Sequence, residues 1–294
     1  MKKITLILVF ALSANLFFTN QGFAQNNAPI GCNGQYYVSH GPSSGNNGQT
    51  KLDKLAFSGS TLSASSFALN TDQYGFNAIG LNPIDGYIYA IRYPAFFGSP
   101  ELIKIGNGGT NVTNLGSFNG DGLGNTSYAA CFGNDGTFYF VDNGGFFGSG
   151  RLKKITNGNL ASRNVQNVGS TNSAYNTIYD IAINPVDGQM YGTNSSTGSN
   201  FLVTINKATG AISAPYGADM GGSDFIAGLF FDETGELYGY RADGGFYQIN
   251  KTTGVLTPAG SGASYSGADG CSCTFGRVYH DLDFTANPSN QICP

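Results

Sequence analysis

The sequence predicts an all-β fold, a β-propeller of five four-stranded blades. Three observations predict it: a phrase that recurs about every 50 residues, strand-like segments with large side chains on both faces, and an unusual composition. The 294 residues include 44 glycines, 17 tyrosines and 22 phenylalanines, no tryptophan, and only 11% charged residues. That mixture suits short strands joined by tight polar turns.

The chain opens with MKKITLILVFALSANLFFTNQGFAQ, in which Lys2 and Lys3 precede a short apolar run and Gly22-Phe23-Ala24 precedes Gln25. A charged start, an apolar centre and small residues at −3 and −1 read as a secretory signal over residues 1–24. The apolar run is too short to span a bilayer comfortably. Residues 25–294 are therefore expected to form a single exported domain, extracellular or at the cell surface, with the periplasm as an alternative and no membrane insertion after cleavage. Without Lys2 and Lys3 the chain keeps 12 basic residues against 18 acidic ones. This mildly acidic balance, with no basic stripe, excludes nucleic acid as a partner held through its phosphates.

The recurring phrase is clearest in NPIDGYIYAI, from Asn82, and NPVDGQMYGT, from Asn184. Its turn appears as Asn33-Gly34, Asp85-Gly86, Asp135-Gly136, Asp187-Gly188 and Thr234-Gly235, with glycines 52, 50, 52 and 47 residues apart. Three positions after each glycine stands a tyrosine: Tyr37, Tyr89, Tyr139, Tyr191 and Tyr238. Two positions after it stands a large apolar residue: Tyr36, Ile88, Phe138, Met190 and Leu237. Asn-Gly and Asp-Gly favour the positive φ that tight hairpins need. A strand with bulk on both faces is covered on both sides.

Each unit continues in order. Before the turn runs a strand with small residues (NAIGLN, YAACFG, YDIAIN, IAGLFF), where Gly80, Ala130, Ala182 and Gly228 let strands crowd near a central axis. After the tyrosine strand come KLDKL, ELIKI, RLKKI, FLVTI and GFYQI, then turns such as Asn206–Gly210 and Asn250–Gly254, then a poorer strand such as AISAPYG or VLTPAGS. The blades are expected near residues 31–70, 77–118, 127–169, 178–216 and 225–260. The first unit lacks its small-residue strand, and GADGCSCTF or GRVYHDLDF, within residues 267–284, is expected to supply it. Ring closure of that kind removes an exposed sheet edge. A sixth blade is the alternative if RVYHDLDF begins another unit.

The five cysteines are Cys32, Cys131, Cys271, Cys273 and Cys293, an odd number. A disulfide from Cys32 to Cys271 or Cys273 would staple the ring and contribute about 2–4 kcal/mol. Cys131 reads as a buried free thiol. With two histidines and no Cys-x-x-Cys, no Cys/His zinc site is expected.

The repeat NP-x-DG-x-x-Y, followed by a strand ending in isoleucine and a TG turn, resembles a family of exported bacterial propellers of unassigned function, domains often found ahead of adhesin-like modules. Asp85, Gly86, Tyr89, Asp187, Gly188 and Tyr191 carry the resemblance, while Thr234 and Asn33 replace the aspartate in their units. The resemblance implies an architecture and no catalytic residue.

Variable polar loops on a rigid scaffold are the usual place for binding. His40, Arg92, Tyr93, Asp142, Arg241 and Asp243 leave the second strand at comparable places and are the candidate ligand-binding residues. Arg92, Asp142 and Arg241 suit a carboxylate or a sugar hydroxyl, or else are solvated loop charges or ion pairs between blades. Phe96-Phe97 and Phe146-Phe147 are a candidate contact patch or inter-blade packing. No cofactor is expected, with one calcium-like stretch, NGDGLGN from Asn119 to Asn125, as the possible exception. Asp281 and Asp283 are alternate strand residues that would share a face, but with no nucleophile beside them. The sequence thus points first to a monomeric, non-enzymatic, exported module that binds a protein or glycan through its loop-bearing face. The rival is a metal-assisted hydrolase or lyase acting on a lactone or polysaccharide, which needs at least three carboxylates, such as Asp180, Asp224 and Asp269, converging on one void in the channel. A spacer without a ligand is the third possibility.

Overall fold

The computed structural model describes residues 28–32, 34–41, 50–58, 61–69, 75–93, 99–107, 112–123, 127–144, 149–196, 198–221, 224–265 and 268–272. The proposed signal, Cys273, Cys293, both Phe-Phe pairs, Asp281 and Asp283 lie outside them. The strands are β1 (Tyr36–His40), β2 (Lys51–Ser58), β3 (Thr61–Leu69), β4 (Gly75–Leu81), β5 (Ile88–Tyr93), β6 (Glu101–Ile105), β7 (Val112–Ser117), β8 (Asn119–Gly120), β9 (Ala130–Phe132), β10 (Phe138–Asp142), β11 (Gly150–Ile155), β12 (Asn164–Asn172), β13 (Ile178–Ile183), β14 (Met190–Ser196), β15 (Ser199–Ile205), β16 (Ile226–Phe231), β17 (Leu237–Arg241), β18 (Gly245–Ile249), β19 (Leu256–Ser261) and β20 (Asp269–Ser272).

They make an all-β, propeller-like repeat of antiparallel meanders. One sheet runs β4-β5-β6-β7, another β9-β10-β11-β12 with β8 at its edge, and a third β13-β14-β15. The fourth has eight strands, because β16-β17-β18-β19 joins β3-β2-β1-β20 through a single parallel bridge between Ser261 and Thr61. β20 pairs antiparallel with β1, setting Cys271 opposite Tyr37 and Ser272 opposite Tyr36, so the two ends of the described chain share one sheet.

The expected last strand of the fourth unit is absent as a strand. Two isolated bridges, Leu202 with Tyr216 and Ile205 with Ile212, stand in its place. Pro215 has no N–H to offer a ladder, and the Ser213 hydroxyl accepts from Thr204 N at 2.9 Å. The small residues do not share one register. Gly80 and Ala182 oppose Tyr89 and Tyr191, but Cys131 and Phe230, not Ala130 and Gly228, oppose Tyr139 and Tyr238.

The core lies between sheets, as strands with bulk on both faces require. Each hydrophobic cluster joins neighbouring groups of strands. Tyr37, Leu52 and Cys271 pack with Ile79, Ile88 and Ile103, and Ala78, Tyr89 and Leu102 pack with Phe132, Phe138 and Phe140. Val141 and Leu152 pack with Ile181 and Met190, and Ala182 and Leu202 with Ile226 and Leu237. An aromatic cluster then links β16–β18 to β1 and β2: the Tyr36 ring lies 5.2 Å from Phe230 and 6.0 Å from Phe57, both edge-on.

The repeated turn has a chemical cause. Gly34, Gly86, Gly136, Gly188 and Gly235 all have φ between 70° and 81°, the left-handed conformation that glycine adopts without cost. Asp85 Oδ1 accepts from Tyr87 N, and Asp85 Oδ2 accepts from the Tyr89 hydroxyl at 2.6 Å. The aspartate thus caps the turn and anchors the tyrosine at one stroke. Cys32 is disulfide-bonded to a cysteine outside the described residues. Cys271, one of its two expected partners, is instead a buried free thiol, as is the partly buried Cys131. β20 turns the Cys271 side chain into the packed interior, against the cluster around Tyr37.

Candidate functional site

In each sheet the innermost strand runs antiparallel to the tyrosine strand, so its start lies level with the tyrosine strand's end. That end of the sheets carries every candidate residue expected from the sequence. His40, Arg92, Asp142 and Arg241 each stand three places after the repeat tyrosine, and Asn194 completes the series. The strand ladder fixes these positions, but each side chain is held by a different local partner.

His40 Nε2 lies 2.7 Å from Asp53 Oδ2, and the Tyr265 hydroxyl donates to the same oxygen at 2.7 Å. The His40 ring stacks on Tyr265 at 3.9 Å, and Tyr265 stacks on Tyr240 at 5.6 Å. Burial, and after it the Asp53 carboxylate, raises the Tyr265 phenol above its ordinary range. Burial likewise pushes Tyr240 up to about 12. This stack bridges β17 to β1 and β2. Next to Tyr240, Arg241 donates through Nε and Nη2 to Asp243 Oδ2 at 2.9 and 2.5 Å, while its guanidinium lies 4.8 Å from the Tyr247 ring. The Arg241 hydrogen bond holds Asp243 below the usual carboxylate range.

Arg92 donates to Glu101 Oε2 at 2.9 and 2.6 Å across the β5–β6 ladder. Tyr93 reaches the link leading to β9, where its hydroxyl donates to Ser127 O at 2.8 Å and accepts from Ser127 N. Asp142 pairs with Lys153 at 3.1 Å, both side chains being almost fully buried. The Lys153 ammonium also donates to Asp121 O at 3.1 Å and Gly122 O at 2.7 Å. In the calcium-like stretch, these carbonyl oxygens therefore bind an ammonium. Asn194 Nδ2 donates to Thr177 Oγ1 at 2.6 Å. Three of the four charged positions thus find their partner within their own sheet, as does Arg241 on the turn that follows it.

Aromatic residues stand at the same end, at or beside the starts of β9, β13 and β16. Tyr128 is 37% exposed, and the Tyr179 and Phe225 rings lie 4.6 Å apart. Sequence reasoning missed Asp53, Glu101, Lys153 and Tyr265. For Asp53 and Lys153 a signal existed: each directly follows a leucine in a strand expected to be covered on both faces, where only a paired charge is tolerated. Tyr265 lies in a segment without a repeat counterpart, so nothing marked it.

Deeper on the axis, Asp180 and Asp269 are wholly buried. Asp180 accepts from Ile181 N at 2.7 Å and Leu229 N at 2.5 Å, and Asp269 from Ile79 N at 2.5 Å and Gly270 N at 3.0 Å. The two carboxyl groups also hydrogen-bond to each other, and burial raises both well above the ordinary range. Beneath them lies a cavity of about 30 Å³, lined among others by Gly80, Ala182, Leu229 and the Cys131 and Cys271 thiols. It has room for a water molecule or two. Asp224 stands apart, its carbonyl accepting from Asn200 Nδ2 at 3.1 Å. Among the described residues no three His, Cys, Asp or Glu side chains gather into a group that could hold a metal.

A family model described as a repeat of unknown function, DUF6923, matches residues 37–275. The chain belongs to that family. No curated protein matches it. Among solved structures it is similar to a chain of the nidogen/laminin complex (15% identity, 79% of this chain and 80% of that one, TM-score 0.49). It is similar too to a candidate gluconolactonase (14% identity, 84% of each chain, TM-score 0.48). A protein of unknown function from Bacteroides caccae is a third (14% identity, 76% of this chain and 72% of that one, TM-score 0.42).

Proposed function

We propose that this DUF6923 chain is an exported propeller of five blades that binds a glycan or protein through the loop-bearing end of its sheets and carries no chemistry of its own. The blade count rests on the cycle of packed clusters and on the pairing of β20 with β1. Two features of the loop end support binding. Tyr128, Tyr179 and Phe225 offer aromatic faces there, suited to the apolar face of a sugar ring or to a protein side chain. At the same end Arg241, which is partly exposed, is already fixed by its ion pair with Asp243, so little side-chain entropy is lost when a ligand meets it.

The observation that carries this reading over a metal hydrolase is the state of the axial carboxylates. Two converge where three are needed, and backbone N–H groups and each other occupy their oxygens.

The test is a glycan and protein-ligand screen on the purified secreted chain, with and without calcium, repeated with Tyr128→Ala and Arg241→Ala. Loss of at least tenfold in affinity for a ligand found in the screen, with the fold intact, is the expected outcome. Metal-dependent turnover of a lactone or a uronate polymer, with no ligand found, overturns it.

A further inference from the structure

The axial carboxyl pair does something that ligand binding at the loop end does not use. Asp180 and Asp269 occupy the same place in two units, each opposite the second residue after the repeat tyrosine, Thr193 and Ser39. Ala129 and Gly228 occupy that place in two others, and Asn77, opposite Ile91, in the fifth. Two of the five places thus carry a carboxyl side chain.

The ladders break beside this level. The register shifts between Asn77 and Gly80 in β4, between Ile178 and Asp180 in β13, and between Ile226 and Gly228 in β16. Bulges of this kind turn backbone N–H groups out of the ladder, and a buried N–H without a partner is costly. The carboxyl groups supply the partners. Asp269, on β20, takes Ile79 N of β4, and Asp180, on β13, takes Leu229 N of β16. Their mutual hydrogen bond then crosses the axis. Two carboxylates cannot hydrogen-bond without a proton, and like charges in contact in a dry interior cannot both stay ionised.

Among the described residues no cation pairs with them. The titratable groups on the strands packed around the pair are Cys131 of β9, Cys271 of β20, Tyr179 of β13, Tyr191 of β14, and Tyr36, Tyr37 and His40 of β1, with Tyr93 of β5 acting on Asp269 through space. Burial keeps both thiols and the Tyr37 phenol protonated, and His40 is engaged by Asp53. Lys207 acts through space on Cys131.

We infer that Asp180 and Asp269 share one proton across the axis, and that this proton fastens β20, the strand that joins the two ends of the chain, to β4, β13 and β16. Asp180 accepts the stronger set of backbone bonds and is the carboxylate; Asp269 is the acid. Ionising the second carboxyl puts two negative charges in contact and loosens β20. The sign follows from linkage: with folded-state values raised, the contribution is complete below the ordinary aspartate range and is lost as pH rises through the folded value. The pair therefore stabilises the protein most below the ordinary aspartate range, and its contribution falls as pH rises toward the folded value.

The experiment is infrared spectroscopy of the purified protein across pH, with thermal unfolding measured alongside on wild type, Asp269→Asn and Asp180→Asn. At neutral pH the wild type shows the carbonyl stretch of a protonated carboxylic acid, which Asp269→Asn abolishes. The melting temperature falls as pH rises above the ordinary aspartate range and levels off where the band disappears. Asp269→Asn, whose amide still donates to Asp180, has a flattened pH dependence, whereas Asp180→Asn loses more stability at every pH. If Asn at 269 prevents folding, the wild-type band and the levelling of the melting temperature where it disappears decide alone. A wild type without that band at neutral pH, a band untouched by both substitutions, or an Asp269→Asn protein with the wild-type pH slope overturns the inference.

Discussion

Asp85 shows how much one residue of the repeat does. Its carboxylate caps Tyr87 N, accepts the Tyr89 hydroxyl at 2.6 Å and pairs with Lys104 at 3.1 Å, while the Lys104 ammonium rides 3.7 Å from the Tyr87 ring centre. The Asp-Gly-x-x-Tyr spacing was legible because the turn and the tyrosine are three residues apart. Lys104 was not, because the ladder that brings it to Asp85 pairs β5 with β6. A hydrogen bond to a charged acceptor contributes about 1.5–3 kcal/mol when well buried. Asp85 is partly exposed, so Tyr89→Phe is expected to cost the lower part of that range. Tyr191 feels Asp187 only through space, so Tyr191→Phe costs less. Urea unfolding with an unchanged slope measures both; equal losses would mean that the hydroxyl at 89 contributes nothing through Asp85.

At the scale of elements, Lys153 ties β11 to β10 through Asp142 and to the Asp121–Gly122 linker, which β8 docks on β12 in parallel. Sequence reasoning read this linker as a calcium-like loop on the strength of its alternating oxygen-bearing side chains, whereas the ammonium meets two backbone carbonyls, which that pattern does not mark. It could not say which cation, because the lysine arrives from a strand some thirty residues later. Removing one partner of a buried pair leaves the other charged and alone, a cost of about 3–5 kcal/mol. Lys153→Met should approach that figure in denaturant titrations, with Asp142→Asn milder because a neutral amide leaves the ammonium its two carbonyls. Added calcium should leave the wild-type melting temperature unchanged. A calcium-dependent rise would show that the ammonium does not own the site.

For the whole molecule, the period, the strand order within a unit and the missing inner strand were legible, because each leaves a local pattern of turns and alternation. Pairing between chain ends leaves none, which is why two segments competed for the closing strand and two cysteines for Cys32. The described chain is held at that joint in three ways. β20 forms the ladder with β1; Asp269 reaches β4 and Asp180; and residues 28–31 lie on the next sheet, where Ile30 N and Gly31 N donate to Gly86 O at 2.7 and 3.1 Å and Asn107 N donates to Ala28 O at 2.7 Å. The Cys32 disulfide is a fourth tie. These ties are unequal. A disulfide acts mainly on the unfolded chain, at about 2–4 kcal/mol, and the hydrogen bonds of residues 28–31 survive its reduction. Losing β20 instead exposes the backbone of β1, opens the face of Tyr37 to water, leaves Ile79 N buried without its partner and takes the Asp269 carboxyl away from Asp180. A reduced protein should therefore melt cooperatively at a lower temperature. A chain ending at Tyr265 should show no cooperative transition by near-ultraviolet circular dichroism and should bind a hydrophobic dye. A truncated chain that melts as sharply as the reduced full-length one would show that the ring does not depend on its closing strand.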